Sequence, residues 1–129
     1  MTDLLLDLIE YLRVTGVVQG DGIDAFRDTA PDSPDTMCVL YEYQGSTPLP
    51  QIASVDRAIQ FVARDKSATA AKNKARAMYA SLTTDDGILV LPQRECFMLL
   101  RDPPFKIKVD SIGRVYYGFN TVCTTYEDN

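Results

Sequence analysis

Apolar side chains recur at Leu4, Leu5, Leu8, Ile9 and Leu12, a 3.6-residue stripe that predicts an amphipathic helix over residues 3 to 14. Thr2 or Asp3 can cap its start, Asp3, Asp7 and Glu10 sit off the stripe where solvent is expected, and Gly16 stands where helices commonly stop. The pattern then lapses. Residues 20 to 34, GDGIDAFRDTAPDSP, offer turn and cap residues without a sustained period and are expected to be a loop.

Alternation begins at Met37 and runs to Gln44, with Met37, Val39, Tyr41 and Tyr43 on one face and Cys38, Leu40 and Glu42 on the other, which predicts a strand. Pro48 and Pro50 break it, because prolines remove donors that a ladder needs. Val55 to Arg64 alternates again and is expected to pair antiparallel with the strand before it. Ser67 to Leu82 reads as the strongest helix, with Ala68, Ala71, Ala75, Met78, Tyr79 and Leu82 on the face expected to lie across the sheet. Ile88 to Leu91 predicts a short strand. The continuous apolar run Cys96 to Leu100 predicts another, buried on both faces.

Asp102-Pro103-Pro104 interrupts the pairing, Lys106 to Val109 is extended, and residues 110 to 114 form a turn before a long last strand, Val115 to about Tyr126. The order defines an α+β domain spanning residues 1–129, with an antiparallel or mixed sheet of about four to five strands and both the N-terminal and the central helix packed on it.

Composition changes this picture mainly by exclusion. Of 129 residues, 46% are hydrophobic and 24% charged, a globular balance in a chain of single-domain length. There is no histidine, so Ser-His and Cys-His nucleophile pairs and the commonest metal ligand are missing. Cys38, Cys96 and Cys123 form no CxxC, are odd in number, and are expected to be reduced apolar fillers. Gly20-Asp21-Gly22 lacks the lysine and leading strand of a phosphate loop, and Asp85-Asp86 before Gly87 is turn chemistry rather than a cation site. No enzyme activity, cofactor or metal is expected. Neither is a membrane span, since Leu4-Leu5-Leu6 is too short.

Net charge is -5, spread unevenly: residues 1 to 56 hold ten acids and two bases, residues 57 to 129 eleven bases and eight acids. Net acidity argues against direct nucleic-acid binding. Lys66, Lys72, Lys74 and Arg76 form a basic run without an intervening acid, which is either a solvated face or a contact with an acidic surface. Two loops, Pro48-Leu49-Pro50 and Pro103-Pro104-Phe105, are rigid and apolar and suit docking, unless they fold back on their own domain.

Ile59-Gln60-Phe61-Val62-Ala63-Arg64-Asp65, the alanine-rich helix after it, Asp102-Pro103-Pro104 and the closing Asp110-Ser111-Ile112-Gly113-Arg114-Val115-Tyr116-Tyr117 occur in an order that resembles the minor capsid proteins of long-tailed bacteriophages that act as tail terminators. The resemblance covers the chain from about Leu49 to Tyr126. It implies a non-enzymatic virion protein at the neck, assembled in the bacterial host cytoplasm as a homo-oligomeric ring, expected to be a hexamer. Such a ring contacts the major tail protein on one side and a head-side connector or neck protein on the other. A small cytoplasmic ligand-binding or regulatory α+β module is the alternative.

Overall fold

A computed structural model describes residues 3–43 and 54–126. Helix α1 (Leu4–Val14) buries all five leucine and isoleucine side chains of its predicted stripe. It ends through Gly16, whose φ of +83° costs a glycine little, and Val17 N–H closes back on the Leu12 carbonyl at 2.9 Å. Asp7 departs from the sequence reading. It is buried rather than solvated, because Arg94 approaches within 3.3 Å and the Gln93 N–H donates to it. Burial raises its carboxyl pKa, while these partners and Arg94's charge pull the other way.

Seven strands follow among the described residues, more than the four to five expected: β1 (Ala25–Arg27), β2 (Met37–Glu42), β3 (Ser54–Asp65), β4 (Ile88–Val90), β5 (Glu95–Leu100), β6 (Phe105–Val109) and β7 (Val115–Tyr126). Helix α2 (Ala68–Leu82) lies between β3 and β4, its N–H at Ala70 capped by the Ser67 hydroxyl. The sheet runs β1-β2-β3-β7-β5-β4, and β6 also pairs with β7. It is mixed, since β1 is parallel to β2 while the other pairings are antiparallel.

Two of the additional strands correct the sequence reading. The segment expected to be only loop contains β1, whose three residues register with Cys38, Val39 and Leu40. The extended Lys106 to Val109 belongs to β6, which starts at Phe105 and pairs with β7 across a bulge between Lys106 and Lys108.

Strand β7 organises the sheet because it has two occupied edges. All of β3 pairs along one; β6 (opposite Val115 to Gly118) and β5 (opposite Thr121 to Thr125) share the other. The proline-interrupted stretch between β5 and β6 lets two short strands share that edge. Both helices cover one sheet face. There, Leu40, Ile59, Phe61, Ala63, Met98 and Phe119 meet the buried faces of α1 and α2, with Phe61 and Phe119 stacked at 5.2 Å and Tyr79 edge-on to Phe119.

Among the described residues, the other face is closed at one end. Arg64, 2% exposed, donates to the carbonyls of Pro31 (2.8 Å), Asp32 (3.2 Å), Pro34 (2.7 Å) and Asp35 (3.2 Å). Arg114 is also buried. It pairs with Asp110 at 2.7 Å and Asp32 at 3.3 Å. These two arginines hold the Pro31 to Asp35 loop against the ends of β3 and β7.

Desolvation pushes the Asp110 carboxyl up, but it is outweighed by the N–H groups of Arg114 and Ile112 and by the Arg114 guanidinium, which hold it at about 2. A depressed carboxylate contributes stability above its ordinary value of 3.8, and that contribution is lost as pH falls toward 2. Acid unfolding followed by circular dichroism should therefore include an Asp110-dependent loss between about pH 4 and 2. Asp110→Asn should flatten that part of the profile, and an unchanged profile would refute the assignment.

Candidate assembly surfaces

The predicted basic run divides in two. Lys66 pairs with Asp35 at 3.1 Å, and Lys74 donates to the Val17 carbonyl at 2.8 Å, tying α2 to the segment after α1. Both cations serve the fold of their own chain. Lys72 and Arg76 have no hydrogen-bond or ion-pair partner among the described residues, and Arg76 is exposed together with Ala77 and Ala80. The helix face opposite the Ala71, Ala75, Met78 and Leu82 stripe thus presents cations between short side chains.

Pro48, Leu49 and Pro50 lie outside the described residues. Pro103 is exposed, Pro104 half-buried, and Phe105 begins β6 with a partly exposed ring, so this second loop reaches the surface beside the β6 edge. The structure does not bring it to the basic helix face. α2 packs on β3 and β7 from the helix-covered side, whereas β6 extends the far edge of β7.

The surface that sequence reasoning missed is the helix-free face of the sheet. Cys96 to Leu100 was expected to be buried on both faces, but β5 alternates: Cys96 and Met98 are buried, while Phe97 and Leu99 are 54% and 62% exposed. Val90 beside them on β4 is 68% exposed. An apolar run shows neither face's partner, and among the described residues α1 and α2 cover this part of the sheet on one side. Val122 and Thr124 of β7 and Asp56 of β3 continue this surface, and Glu95 flanks Phe97.

At the other end of the same face, Tyr41 of β2, Tyr43 just after it, Gln60 and Val62 of β3, Ile107 and Lys108 of β6 and Tyr116 of β7 line a groove of about 440 Å³. Lys108 Nζ sits 4.7 Å from the Tyr116 ring centre. Burial raises the Tyr41 hydroxyl pKa, with the Tyr116 charge adding to it.

The groove's charged lining among the described residues is Asp28, Glu42 and Lys108. Among the described residues no group of three or more cysteine, aspartate or glutamate side chains could hold a metal ion, and no helix is long and apolar enough to cross a membrane.

All three cysteines are buried thiols. Burial pushes the Cys38 thiol up to about 12, while the hydrogen bond between Cys96 and Cys123, followed by burial, raises Cys123, and the same hydrogen bond lowers Cys96. Thiol reagents should therefore label the native protein slowly and all three cysteines rapidly once it is denatured. Stoichiometric labelling of Cys38 in the native state within minutes would contradict this.

The described residues thus form a sheet with helices on one face, exposed apolar side chains on the other and cations on the outer surface of α2. The chain belongs to the bacteriophage tail terminator protein family, whose model matches residues 12–127. Its fold is similar to a chain of a solved structure described as the virion of a native gene transfer agent particle, with 15% identity, 96% of this chain and 95% of that chain covered, and a TM-score of 0.65. No curated protein matches the sequence.

Proposed function

We propose that this protein is a non-enzymatic virion component that forms a ring, expected to be a hexamer, at the head-proximal end of the tail. There it stops polymerisation of the major tail protein and offers a surface to the head-side connector. The family match across nearly the whole chain carries the reading. The surfaces support it physically, because a ring needs two different patches on each subunit, and the cationic side of α2 and the apolar sheet face lie on opposite sides of the sheet.

The test is assembly of the cognate major tail protein with and without this chain, followed by electron microscopy. With it, tails should have uniform length and a ring at one end; without it, tubes should grow to uncontrolled length. Uniform tails in its absence would overturn the reading.

A further inference from the structure

Phe97 and Leu99 of β5 and Val122 of β7, which pairs with Leu99, form an outward apolar patch with Val90 of β4 at its rim opposite Glu95, on a face that α1 and α2 do not reach. Water is a poor permanent neighbour for such a cluster. Its surroundings are mainly acidic. Asp56 lines it from β3, Glu95 flanks Phe97 on the same strand, and Asp85 and Asp86 stand in the turn leading into β4. Among the described residues, Arg101 just beyond β5 is a cation near its other end, where it and Val122 line one surface.

The complementary surface is on the same molecule. Lys72 and Arg76 on α2 are cations without partners among the described residues, and exposed Ala77 and Ala80 beside Arg76 leave room for large apolar side chains. The patch and the outer side of α2 lie on opposite faces of one sheet, so no copy can join them within itself.

Accordingly, we infer that the Val90, Phe97 and Leu99 patch is covered by the Lys72 and Arg76 side of α2 from a second copy of this chain. The contact is heterologous. Each copy that uses its patch still offers its helix, so the series is satisfied only when it closes on itself or runs on as a fibre. The inference rests on the ring reading above and adds to it which faces meet. Phe97 and Leu99 provide the desolvated centre, and Glu95 and Asp56 facing Lys72 and Arg76 set register at the salt-sensitive rim.

Cysteines placed at both faces in one chain, Arg76→Cys with Leu99→Cys, test the contact in assembled tails treated with a short bismaleimide. The native thiols are buried and both new positions are exposed. The expected product is a covalent ladder from dimer to the full ring, with no ladder from either single variant.

Tails that carry a ring under the microscope but give no ladder would overturn this contact while leaving the ring intact. A dimer from one single variant would show a symmetric contact and overturn it as well. Parent tails without a ring would overturn the ring reading itself, and this contact with it.

Charge exchange provides the second measurement, independent of how the cysteine variant folds. Arg76→Glu should weaken assembly on tails about tenfold, the order expected of one partly desolvated charge pair. Glu95→Arg in the same chain should restore most of it. Unchanged assembly in Arg76→Glu, or no recovery in the double variant, would count against the pairing.

Discussion

Replacing Gly118 by alanine is expected to destabilise the protein by about 3 kcal/mol or more, at the upper end of overpacking costs, and to lower Tm by roughly 10 °C. A Cβ at Gly118 would lie 2.3 Å from the Phe61 carbonyl oxygen, 3.2 Å from Val62 Cα and 3.0 Å from Ile107 Cδ1. The Ile107 side chain can give way; the β3 backbone cannot do so without breaking register. Gly118 pairs with Val62 on one side and Phe105 on the other, so any outward shift disturbs both ladders at once. Thermal unfolding by circular dichroism measures the effect, and a variant within about 0.5 kcal/mol of the parent would show that the strands separate freely there. Gly113 offers the contrast. Its virtual Cβ meets nothing within 4 Å, and only its φ of +91° resists substitution, so Gly113→Ala should cost less, about 1 kcal/mol.

The elements legible in the sequence are those with long periods. α1, α2, β2, β3 and β7 each carry six or more residues of helical or alternating pattern, and the structure places them within a residue or two of the expected bounds where those residues are described. β1 was not legible because three residues cannot establish a period and its partner lies thirteen positions away, at Ala25 opposite Cys38. β6 was legible only as an extended segment, Lys106 to Val109, and its place in the sheet was not, for a related reason. Its side chains are mostly exposed, so no buried face marks it, and it is a strand only by virtue of its ladder to β7.

The candidate surfaces follow the same logic. A run of lysine and arginine is visible in sequence, but which of them are spent at home is not. Lys74 is engaged by a carbonyl 57 positions away and Lys66 by an aspartate 31 positions away. Exposure of Phe97 and Leu99 was hidden by the opposite error, since apolar content predicts burial without saying what provides it. Asp7 shows the same difficulty for a charge, because the approach of Gln93 and Arg94 decides its burial.

Arg64 is where sequence and structure diverge most in energy, and Arg64→Leu is expected to cost roughly 2–4 kcal/mol. In sequence it is one polar position in an alternating strand. In the fold its guanidinium is the common donor for four carbonyls of the Pro31 to Asp35 loop, and it also lies 5.9 Å from the centre of the Tyr116 ring. Leucine would restore apolar volume but leave these carbonyls to find water or move. The loop would then be held by Arg114 and by the pairing of Lys66 with Asp35. Arg64→Lys should recover only part of the loss, because a single ammonium cannot span acceptors arranged around a planar fork. Urea unfolding should therefore rank parent above Arg64→Lys above Arg64→Leu, and hydrogen exchange in Arg64→Leu should rise first at residues 31 to 38, where β2 begins. Equal stability of all three would show that the loop is held from elsewhere and that the buried guanidinium is incidental to the fold.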